Sequence, residues 1–481
     1  MPSNRPLALA AVLALVVVGP AASIALAAPA PSDGSSVNAA DATVRSGGPG
    51  AGPVADATDG ADANGGADTT NDSADAANGP VVSAGSNASA GADTATGADG
   101  ATALRIETAG YALSTVVETE ENTTNYLEIP NREVERDGHA NASPSVVGAI
   151  ERDLAAIRSN YSTRSFYHTY ENATESETVA GIRTEVERLE SRIASLRERQ
   201  RDAIEQYNEQ SWSSERFLRE LSTIDARARG IDERFTQLEN AVILPLPTNL
   251  RTRMQALQME LVSLRGPVRA SIGEAVSGER APFTVYTVTS ADGVVTAHTD
   301  GRLFHREAYL GANRAYSGAN LFVSEDDPRG FSAADQRAKE LYPWAYAYGG
   351  GGVDTFVNTT IYEVTLDNPH GTLDVYLDGR TTDAYREIQR KGVALLPTVP
   401  RGNVSSGIRL QVNRTHGTGP LEVHVTEDTG EPLNATVTVN GYEVGATGAD
   451  GRLWTVTPYQ QVRIAVETAD GRTVTLGFYA G

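Results

Sequence analysis

Residues 179–207 read VAGIRTEVERLESRIASLRERQRDAIEQY, and the spacing of their apolar side chains decides the fold class. The apolar positions follow one another in alternating steps of three and four, with Gln200 as the polar exception. Such an alternation places one side chain per half-heptad on a single stripe of a helix. The apolar members of this stripe are Val179, Ile182, Val186, Leu189, Ile193, Leu196, Ala203 and Tyr207.

Two further runs repeat this rhythm, from Phe217 to Val242 and from Leu250 to Val268. The breaks between the runs are short, so consecutive helices are predicted to lie antiparallel. They fall at 208–214 and at Pro245 and Pro247. The sequence therefore predicts an antiparallel helical bundle, in which a long coiled-coil hairpin is joined by a third helix that returns along it.

The starts of two helices are also visible in the sequence. Thr174 and Glu177 have the spacing of a capping box at the start of the long helix. Ser143-Pro144 predicts an earlier helix, with Ser143 as its cap and Pro144 at its first position. That earlier helix repeats the same rhythm at Val147, Ile150, Leu154, Ile157 and Tyr161. The predicted helical domain spans 103–278.

The composition bounds the partners of the chain, which has 481 residues, no cysteine and a net charge of -22. The absence of cysteine excludes disulfides, thiolate metal sites and cysteine nucleophiles, and the acidic charge argues against nucleic acid as a partner. Lys339 and Lys391 are the only lysines among 40 basic residues. An acidic chain that is rich in arginine and poor in lysine resembles the proteins of halophilic archaea, whose surface carboxylates hold water and cations while salt screens their repulsion.

The N-terminus has the features of an export signal. An apolar run from Leu7 to Val18 ends at Gly19-Pro20, and Ala25-Leu26-Ala27 offers a small-x-small cleavage pattern. These features predict a secretory signal peptide over 1–27. The alternative is an uncleaved anchor over 7–28, which is long enough to span a membrane. Residues 28–102 are mostly Ala, Gly, Asp, Ser, Thr and Asn, which predicts a disordered linker.

Residues 279–405 change to a mixture of strand and helix patterns. Two pairs of strand-like runs, 283–288 with 294–297 and 360–366 with 372–377, flank turn sequences and predict two hairpins. Helices are predicted over 332–341 and 382–391. The predicted fold class is therefore multidomain α+β, with a small α+β domain between the bundle and a C-terminal β-sandwich.

The α+β domain holds the candidates for chemistry. These are the histidines His298, His305 and His370, with the carboxylates Asp300, Glu307 and the run 325–327. No metal-binding spacing, nucleophile elbow or phosphate-cradling loop accompanies them. We therefore predict no catalytic residue, no metal and no cofactor, and treat the histidines as surface or turn residues.

The aromatic run at the end of the first helix of this domain is its most distinctive local feature. Its members are Tyr342, Trp344, Tyr346 and Tyr348, followed by the glycines 349–352. Aromatic rings beside a flexible loop can stack on sugars or peptides, so these four residues are a candidate binding surface. The alternative interpretation is core packing at the end of a helix.

The C-terminal stretch 406–481 alternates in the manner of a β-sandwich. Gly430-Glu431-Pro432-Leu433, Asn440-Gly441 and Asp450-Gly451 mark its turns. With the alternation from Ala435 to Val439, this pattern resembles the carboxypeptidase-regulatory-like, transthyretin-like modules of secreted proteins. The resemblance implies a folding, spacing or adhesion module, and it supplies no catalytic residues.

The chain as a whole resembles exported haloarchaeal proteins of unknown function. The resemblance rests on the signal, the helical hairpin, Asn125-Tyr126-Leu127 with Ile129-Pro130, Glu340-Leu341-Tyr342-Pro343-Trp344, and Asn413-Arg414-Thr415-His416. It implies a fold pattern and an extracellular or cell-surface location, but no activity.

An exported chain can use its N-glycosylation sequons. Acceptor sequences occur at Asn71, Asn87, Asn122, Asn141, Asn160, Asn172, Asn358, Asn403, Asn413 and Asn434. None lies between Glu175 and Val357, so we predict some occupancy outside the bundle and none within it.

The function predicted from these observations is that of a non-catalytic, exported or cell-surface structural or interaction protein. Its expected partner is an envelope or extracellular protein or glycan. Contact with the membrane is expected only if the N-terminal segment stays uncleaved, and the helical seams favour a monomer. The alternative is an envelope hydrolase or sensor with its site in 282–400.

Overall fold

The structure is a computed structural model that describes residues 117–118, 120–242, 245–355 and 359–480. The described residues belong to one compact unit. The predicted signal peptide and linker, the sequons at Asn71 and Asn87, and the sequon at Asn358 lie outside the described residues. No helix within the described ranges is long and apolar enough to cross a membrane.

The centre of the described unit is an eight-stranded antiparallel sheet with the strand order β3-β4-β5-β6-β10-β9-β8-β7. Two successive meanders therefore meet at the pair β6 and β10. The strands are β3 (Arg136–Ala142), β4 (Phe283–Thr289), β5 (Gly293–Thr299), β6 (Leu303–Leu310), β7 (Gly350–Thr355), β8 (Ile361–Asn368), β9 (Gly371–Asp378) and β10 (Ala384–Gly392). A separate short pair consists of β1 (Val117–Glu118) and β2 (Tyr126–Leu127).

Strand β10 corrects a sequence prediction, because 382–391 was expected to be helical. The segment instead pairs with β6 on one side and with β9 on the other. Its charged residues Arg386 and Glu387 are fully buried, one on each face of the sheet. Charges at consecutive positions are typical of an exposed helix, and only the covering of both sheet faces makes them compatible with a central strand. The two predicted hairpins, β4–β5 and β8–β9, are confirmed.

The helices of the N-terminal half lie between β3 and β4 in sequence and pack on one face of the sheet. They are α1 (Val146–Tyr170), α2 (Glu175–Asn208), α3 (Ser214–Glu239), α4 (Thr248–Glu260) and α5 (Pro267–Ser277). Helices α2 and α3 are joined by the short connection 209–213 and pack against each other. All the predicted stripe positions of α2 from Ile182 to Tyr207 are buried, including Gln200.

Helix ends differ from the sequence prediction in two places. Thr174 caps α2 as predicted, with the complete capping box to Glu177. For α1 the cap is Ser145 rather than Ser143, because the Ser145 side chain accepts the backbone N–H of Gly148. The predicted third helix is divided in two, since the chain leaves α4 through a turn of 3-10 helix and restarts at Gly266-Pro267.

The opposite face of the sheet is covered by several elements together. These are the segment 120–130, the helices α6 (Phe331–Leu341) and α7 (Pro343–Tyr348), and the near side of the C-terminal module. Helix α6 confirms the helix predicted over 332–341. Leu127 and Ile129 are fully buried in the apolar core that these elements share with the sheet.

The C-terminal module consists of two four-stranded sheets that enclose their own apolar core, which confirms the predicted sandwich. One sheet has the order β11-β12-β13-β16, and the other has the order β15-β14-β17-β18. The strands are β11 (Val399–Ser405), β12 (Ile408–Arg414), β13 (Pro420–Glu427), β14 (Ala435–Val439), β15 (Tyr442–Ala446), β16 (Arg452–Val456), β17 (Gln461–Thr468) and β18 (Thr473–Tyr479). Asn440 and Gly441 both adopt positive φ at the β14–β15 turn, as a two-residue hairpin turn requires.

The sheets do not follow the predicted domain boundaries. Strand β3 falls within the predicted helical domain 103–278, yet it forms one edge of the central sheet. Strand β11 falls within the predicted α+β domain 279–405, yet it belongs to the sandwich. Strand β3 is remote in sequence from the rest of its sheet, which hides it from a boundary drawn on composition, whereas β11 lies directly before its partner β12, so there the predicted boundary falls one strand too late.

Candidate functional site

The centre of the sheet carries two Arg–Glu pairs on opposite faces. The dipeptides Arg306-Glu307 on β6 and Arg386-Glu387 on β10 supply all four side chains. Successive residues of a strand point to opposite faces, so Arg306 meets Glu387 on one face and Glu307 meets Arg386 on the other. The exposed fraction of each side chain is 0% or 1%. This reciprocal arrangement places four buried charged side chains at the centre of the sheet.

We define the sandwich-side cluster as Arg306, Glu387, Glu128, Tyr342 and Thr418. Nη1 of Arg306 donates to Oε1 of Glu387 at 2.9 Å, and the hydroxyl of Tyr342 donates to Oε2 of Glu387 at 2.7 Å. Nε of Arg306 donates to Oγ1 of Thr418 at 3.1 Å. Thr418 in turn donates to Oε2 of Glu128 at 2.9 Å. The cluster therefore connects the sheet, the segment 120–130, the junction between α6 and α7, and the C-terminal module.

The electrostatics of this cluster are unusual for a protein core. Burial raises the pKa of Glu128 to about 7, although Arg306 and the hydrogen bond from Thr418 act in the opposite direction. Burial also lowers the pKa of Lys391 to about 8, although the negative charge of Glu387 acts to raise it. The Lys391 ammonium donates to the carbonyl of Thr124 at 3.3 Å. Two groups that titrate near neutral pH are thus held in the same enclosed region.

We define the helix-side cluster as Glu307, Arg386, Arg269 and Gln200. Nε of Arg269 donates to Oε1 of Glu307 at 3.0 Å, and its Nη1 donates to Oε1 of Gln200 at 2.6 Å. Nη2 of Arg386 lies 3.4 Å from Oε2 of Glu307. Gln200, the one polar residue on the α2 stripe, is therefore the acceptor that joins this helix to α5. The cluster holds two arginines and one carboxylate, and its extra positive charge faces the nearby Asp225 of α3.

Gly266 is required for the approach of the helices to this cluster. A Cβ at this position would meet both Oε2 of Glu307 and Nη2 of Arg386 at less than contact distance. The backbone N–H of Gly266 donates to Oδ1 of Asp225 at 2.9 Å. The break at Gly266-Pro267 that divides the predicted third helix thus lets the backbone pass directly over the buried charges.

Two of the three candidate histidines lie together and the third lies apart, and His298 is fully buried rather than a surface or turn residue as expected. His298 and His305 are opposed on β5 and β6, where their rings stack with centroids 5.0 Å apart. Burial lowers the pKa of His298 to about 3, and His305 and Arg280 act in the same direction. His370 lies in the β8–β9 turn on the other side of the sheet, where its ring stacks on Trp344 at 4.7 Å.

The candidate carboxylates are equally dispersed. Asp300 accepts backbone N–H groups of Arg302 and Leu303 in the β5–β6 turn, and Asp327 accepts the backbone N–H of Ser332 at the start of α6. Glu307 belongs to the helix-side cluster. Among the described residues, no group of three or more histidine, aspartate or glutamate side chains is placed to hold a metal ion.

The candidate aromatic surface is divided by the structure. Tyr342 is wholly buried and belongs to the sandwich-side cluster, so its assignment to an exposed surface is wrong. Tyr346 is half-buried, and its hydroxyl donates to Asp335 of α6 at 3.1 Å. Trp344 contacts Tyr348, whose exposed fraction is 65%, with ring centroids 5.2 Å apart. We define the aromatic surface as Trp344, Tyr348 and His370, the last of which the sequence did not assign to it.

An open groove of about 860 Å³ lies where the C-terminal module meets the residues around β3. Arg136 and Asp137 on its wall already have partners, since Arg136 donates to the carbonyl of Trp212 at 3.2 Å and Asp137 accepts from the hydroxyl of Tyr286. The exposed Arg463 is the remaining cation on the wall. The groove is therefore a contact region of the module, in which the exposed Glu135 and Arg463 lie beside the paired groups.

The described sequons lie mostly at the surface. Asn122, Asn141, Asn160, Asn172, Asn403 and Asn434 are exposed. Asn413 is half-buried, and its amide donates to Oε2 of Glu422 at 2.7 Å. The amide of Asn403 likewise donates to the carbonyl of Thr475 at 2.7 Å. Asn413 is therefore the least accessible of the described acceptors.

Family models match three parts of the chain. The model described as "Domain of unknown function (DUF7096)" matches residues 1–281, and the model described as "Family of unknown function (DUF7094)" matches residues 285–397. An archaeal fibronectin-III type-like domain matches residues 400–475. No curated protein and no solved structure matches the chain. The C-terminal sandwich is thus similar to an archaeal fibronectin-III type module, while its resemblance to carboxypeptidase-regulatory-like modules stays a prediction.

Proposed function

The chain belongs to the DUF7096 family, whose model covers residues 1–281, and from this premise we propose that it is a non-catalytic, exported or cell-surface protein with a structural or interaction role. The fibronectin-III type-like match supports such a role, since modules of this architecture commonly form parts of cell-surface proteins. The archaeal description of that match also agrees with a haloarchaeal origin, which the acidic, lysine-poor composition favours.

The observation that carries the proposal is the enclosure of the polar centre of the sheet. Helices cover one Arg–Glu pair, and the C-terminal module with the segment 120–130 covers the other. The hydrogen bonds of these pairs are made to neighbouring protein groups rather than to an open cleft. Such an arrangement fixes the module to the sheet and the helices, which suits a scaffold that presents surfaces at defined positions. We take α2 and α3 as the coiled-coil hairpin of that scaffold.

The alternative, an envelope hydrolase or sensor with its site in 282–400, has less support. Its histidines lie on both sides of the sheet, and the most buried of them, His298, has its pKa lowered to about 3 by burial. A general base works best with a pKa near the operating pH. A panel of hydrolase substrates in high salt tests this alternative. Turnover that is abolished by a single His or carboxylate substitution within 282–400 would overturn the non-catalytic proposal.

Export is proposed from the N-terminal pattern and the exposed sequons. Cleavage after Ala27 would leave Ala28 as the first residue of the mature chain. N-terminal sequencing and glycopeptide mapping of protein purified from its native cells test both points. We expect Ala28 at the N-terminus, carbohydrate on at least one of the exposed asparagines, and none on Asn413. An unprocessed and wholly unmodified chain in the cytoplasmic fraction would refute export.

The aromatic surface is our proposed place of contact with an envelope protein or glycan. Tyr348 is exposed just before the glycine-rich strand β7, and its ring contacts the ring of Trp344. We expect Tyr348→Ala to weaken retention of the full chain on isolated envelope material in high salt. Tyr479→Ala is the matched control, because Tyr479 is similarly exposed on the distant strand β18. Equal retention of both variants would remove the aromatic surface from the proposal.

A further inference from the structure

Helix α1 presents its bulky apolar side chains to solvent. The helix forms as the sequence predicts, but its 3,4 stripe points away from the bundle. The exposed fractions are 68% for Val147, 53% for Ile150, 44% for Leu154, 61% for Ile157 and 74% for Tyr161. Surface apolar residues are normally scattered singly, whereas a contiguous row marks an interaction site.

The inner face of α1 is fixed by specific contacts, so the helix cannot simply rotate to bury the row. Gly148 lies so close to α5 that a Cβ there would overlap the side chain of Val276. Oγ1 of Thr163 donates to the side chain of Gln237 on α3 at 2.6 Å. Phe166 is buried against Tyr170, with ring centroids 4.7 Å apart. Gly148, Thr163 and Phe166 thus face the protein, and the apolar row from Val147 to Tyr161 remains outside.

The outward row has the spacing of a coiled-coil seam. Positions 147, 154 and 161 correspond to a, and positions 150 and 157 correspond to d, over about two heptads and 21 Å of helix. The flanking positions carry Glu151, Asp153 and Arg158, which are all exposed. Within the described part of the chain, none of these three is in an ion pair, although the charge of Glu151 also acts on Arg199 of α2 and Arg227 of α3. The seam and its charged flanks are therefore available to a second helix.

We propose that α1 pairs antiparallel with α1 of a second copy of this chain, about a two-fold axis, to form a homodimer in place of the monomer expected from the helical seams. A two-fold interface needs a self-complementary patch, and this row provides one. In an antiparallel pair, a positions pack against d positions. The register that sets Tyr161 against Ile150 of the second copy also sets Leu154 against Ile157. Each of these packed pairs then combines one larger side chain, Tyr161 or Leu154, with one β-branched isoleucine.

The flanking charges complement each other in the same register. Glu151 then lies beside Arg158 of the second copy, with an axial offset of about 3 Å, and the two-fold axis repeats this pair. A parallel pair is less suited to the seam, because isoleucine at d with leucine at a disfavours two-stranded parallel coils. The antiparallel arrangement therefore uses both the apolar row and the charges around it.

Other occupants fit the seam less well. Helices that bind membrane surfaces are rich in Lys and Arg beside the apolar face, whereas Glu151 and Asp153 flank this one. At a net charge of -22 two copies repel each other. Molar salt reduces the screening length to about 3 Å, so dimerisation should strengthen as salt rises.

Sedimentation velocity of the full chain in molar salt, over a wide range of protein concentration, tests the proposal. The wild type is expected to pass from monomer to dimer as its concentration rises. Ile157→Asp places a charge in the seam twice per dimer, so the dissociation constant should rise about 100-fold or more. Ala156→Asp is the matched control, because it adds the same charge to an exposed position of α1 outside the seam. Unchanged far-UV circular dichroism shows that each variant is folded.

Charge reversal tests the direction of pairing, at the lowest salt at which the fold persists. Glu151→Arg and Arg158→Glu should each weaken the dimer by about 3- to 10-fold, and the double variant should restore it. Asp153→Arg should have little effect, whereas in a parallel pair Asp153 would face Arg158. A monomer at every concentration, a dimer insensitive to Ile157→Asp, or a dimer that responds to Asp153→Arg instead of Glu151→Arg would overturn the proposal.

Discussion

Substitution of Glu387 by glutamine removes one charge from the sandwich-side cluster with little change in shape. Its carboxylate accepts three hydrogen bonds from described groups. Nη1 of Arg306 donates to Oε1 at 2.9 Å, while the backbone N–H of Leu127 and the hydroxyl of Tyr342 donate to Oε2 at 2.8 and 2.7 Å. A glutamine has a single acceptor oxygen. Either Arg306 or the other two donors must therefore face an NH2 group.

The expected loss in the free energy of unfolding is about 3–5 kcal/mol, the usual range for breaking a buried ion pair from one side. Above neutral pH we expect the loss in the free energy of unfolding to lie at the lower end of that range, because Glu128 is then ionised in the variant. Glu387 is one of the groups that raise the pKa of Glu128, after burial itself. Without it, Glu128 ionises more readily, and its Oε2 lies 3.4 Å from Nη2 of Arg306. The ionised Glu128 therefore supplies Arg306 with part of the negative charge that Glu387→Gln removes.

Chemical denaturation at about pH 8, followed by circular dichroism, measures this loss. Glu340→Gln is the control, because it breaks the exposed pair with Arg337 on α6 and should cost less than about 1 kcal/mol. Adding Arg306→Met to Glu387→Gln should cost less than the sum of the single changes, since Arg306 then no longer stays buried as a cation without its Glu387 partner. If Glu387→Gln costs no more than Glu340→Gln, the buried pair does not hold these elements together as argued.

Three further outcomes are expected. Gly266→Ala should destabilise the chain by several kcal/mol, because its Cβ would overlap the helix-side cluster, whereas Gly352→Ala adds a Cβ in open space and should be nearly neutral in the same unfolding experiment. Leu189→Asp should also cost several kcal/mol, because Leu189 is fully buried in the α2 seam, while Leu395→Asp at an exposed site should not. The raised pKa of Glu128, about 7, means that its contribution to stability is present below its unfolded value and is lost as the pH rises through 7. The stability difference between wild type and Glu128→Gln should therefore fall by roughly 3 kcal/mol from pH 4.5 to pH 8, and a flat difference would contradict the assignment.

The helices could be predicted from the sequence because their pattern is local. A stripe of apolar residues at steps of three and four, such as that from Ile182 to Tyr207, fits one helical face and is buried as expected. The capping box from Thr174 to Glu177 likewise depends on four consecutive residues. Helix α1 shows the limit of this logic. Periodicity predicts that a face is apolar, but it does not say whether that face meets the same chain or another one.

The clusters at the centre of the sheet could not be predicted, because their members are far apart in sequence. Glu128 and Thr418 are separated by 290 positions, yet they share a hydrogen bond. The charges of β10 even favoured the wrong secondary structure. One local signal was present, since the dipeptide Arg-Glu occurs in both β6 and β10. A strand that carries adjacent opposite charges can be central only if both of its faces are covered, and that condition depends on the whole fold.

The requirement that both faces of the sheet are covered also explains how the matched families relate to the structure. The DUF7096 match ends at residue 281 and the DUF7094 match begins at residue 285, so the boundary separates β3 from its partner β4. These two strands pair along the whole of β3. Division at this boundary would expose the edge of β4. It would also remove the helices that cover Glu307 and Arg386, so these charges, now buried, would be uncovered on one face of the sheet. In this chain the described parts of the two matched regions therefore belong to one folded unit, and the C-terminal module completes it by covering the opposite face.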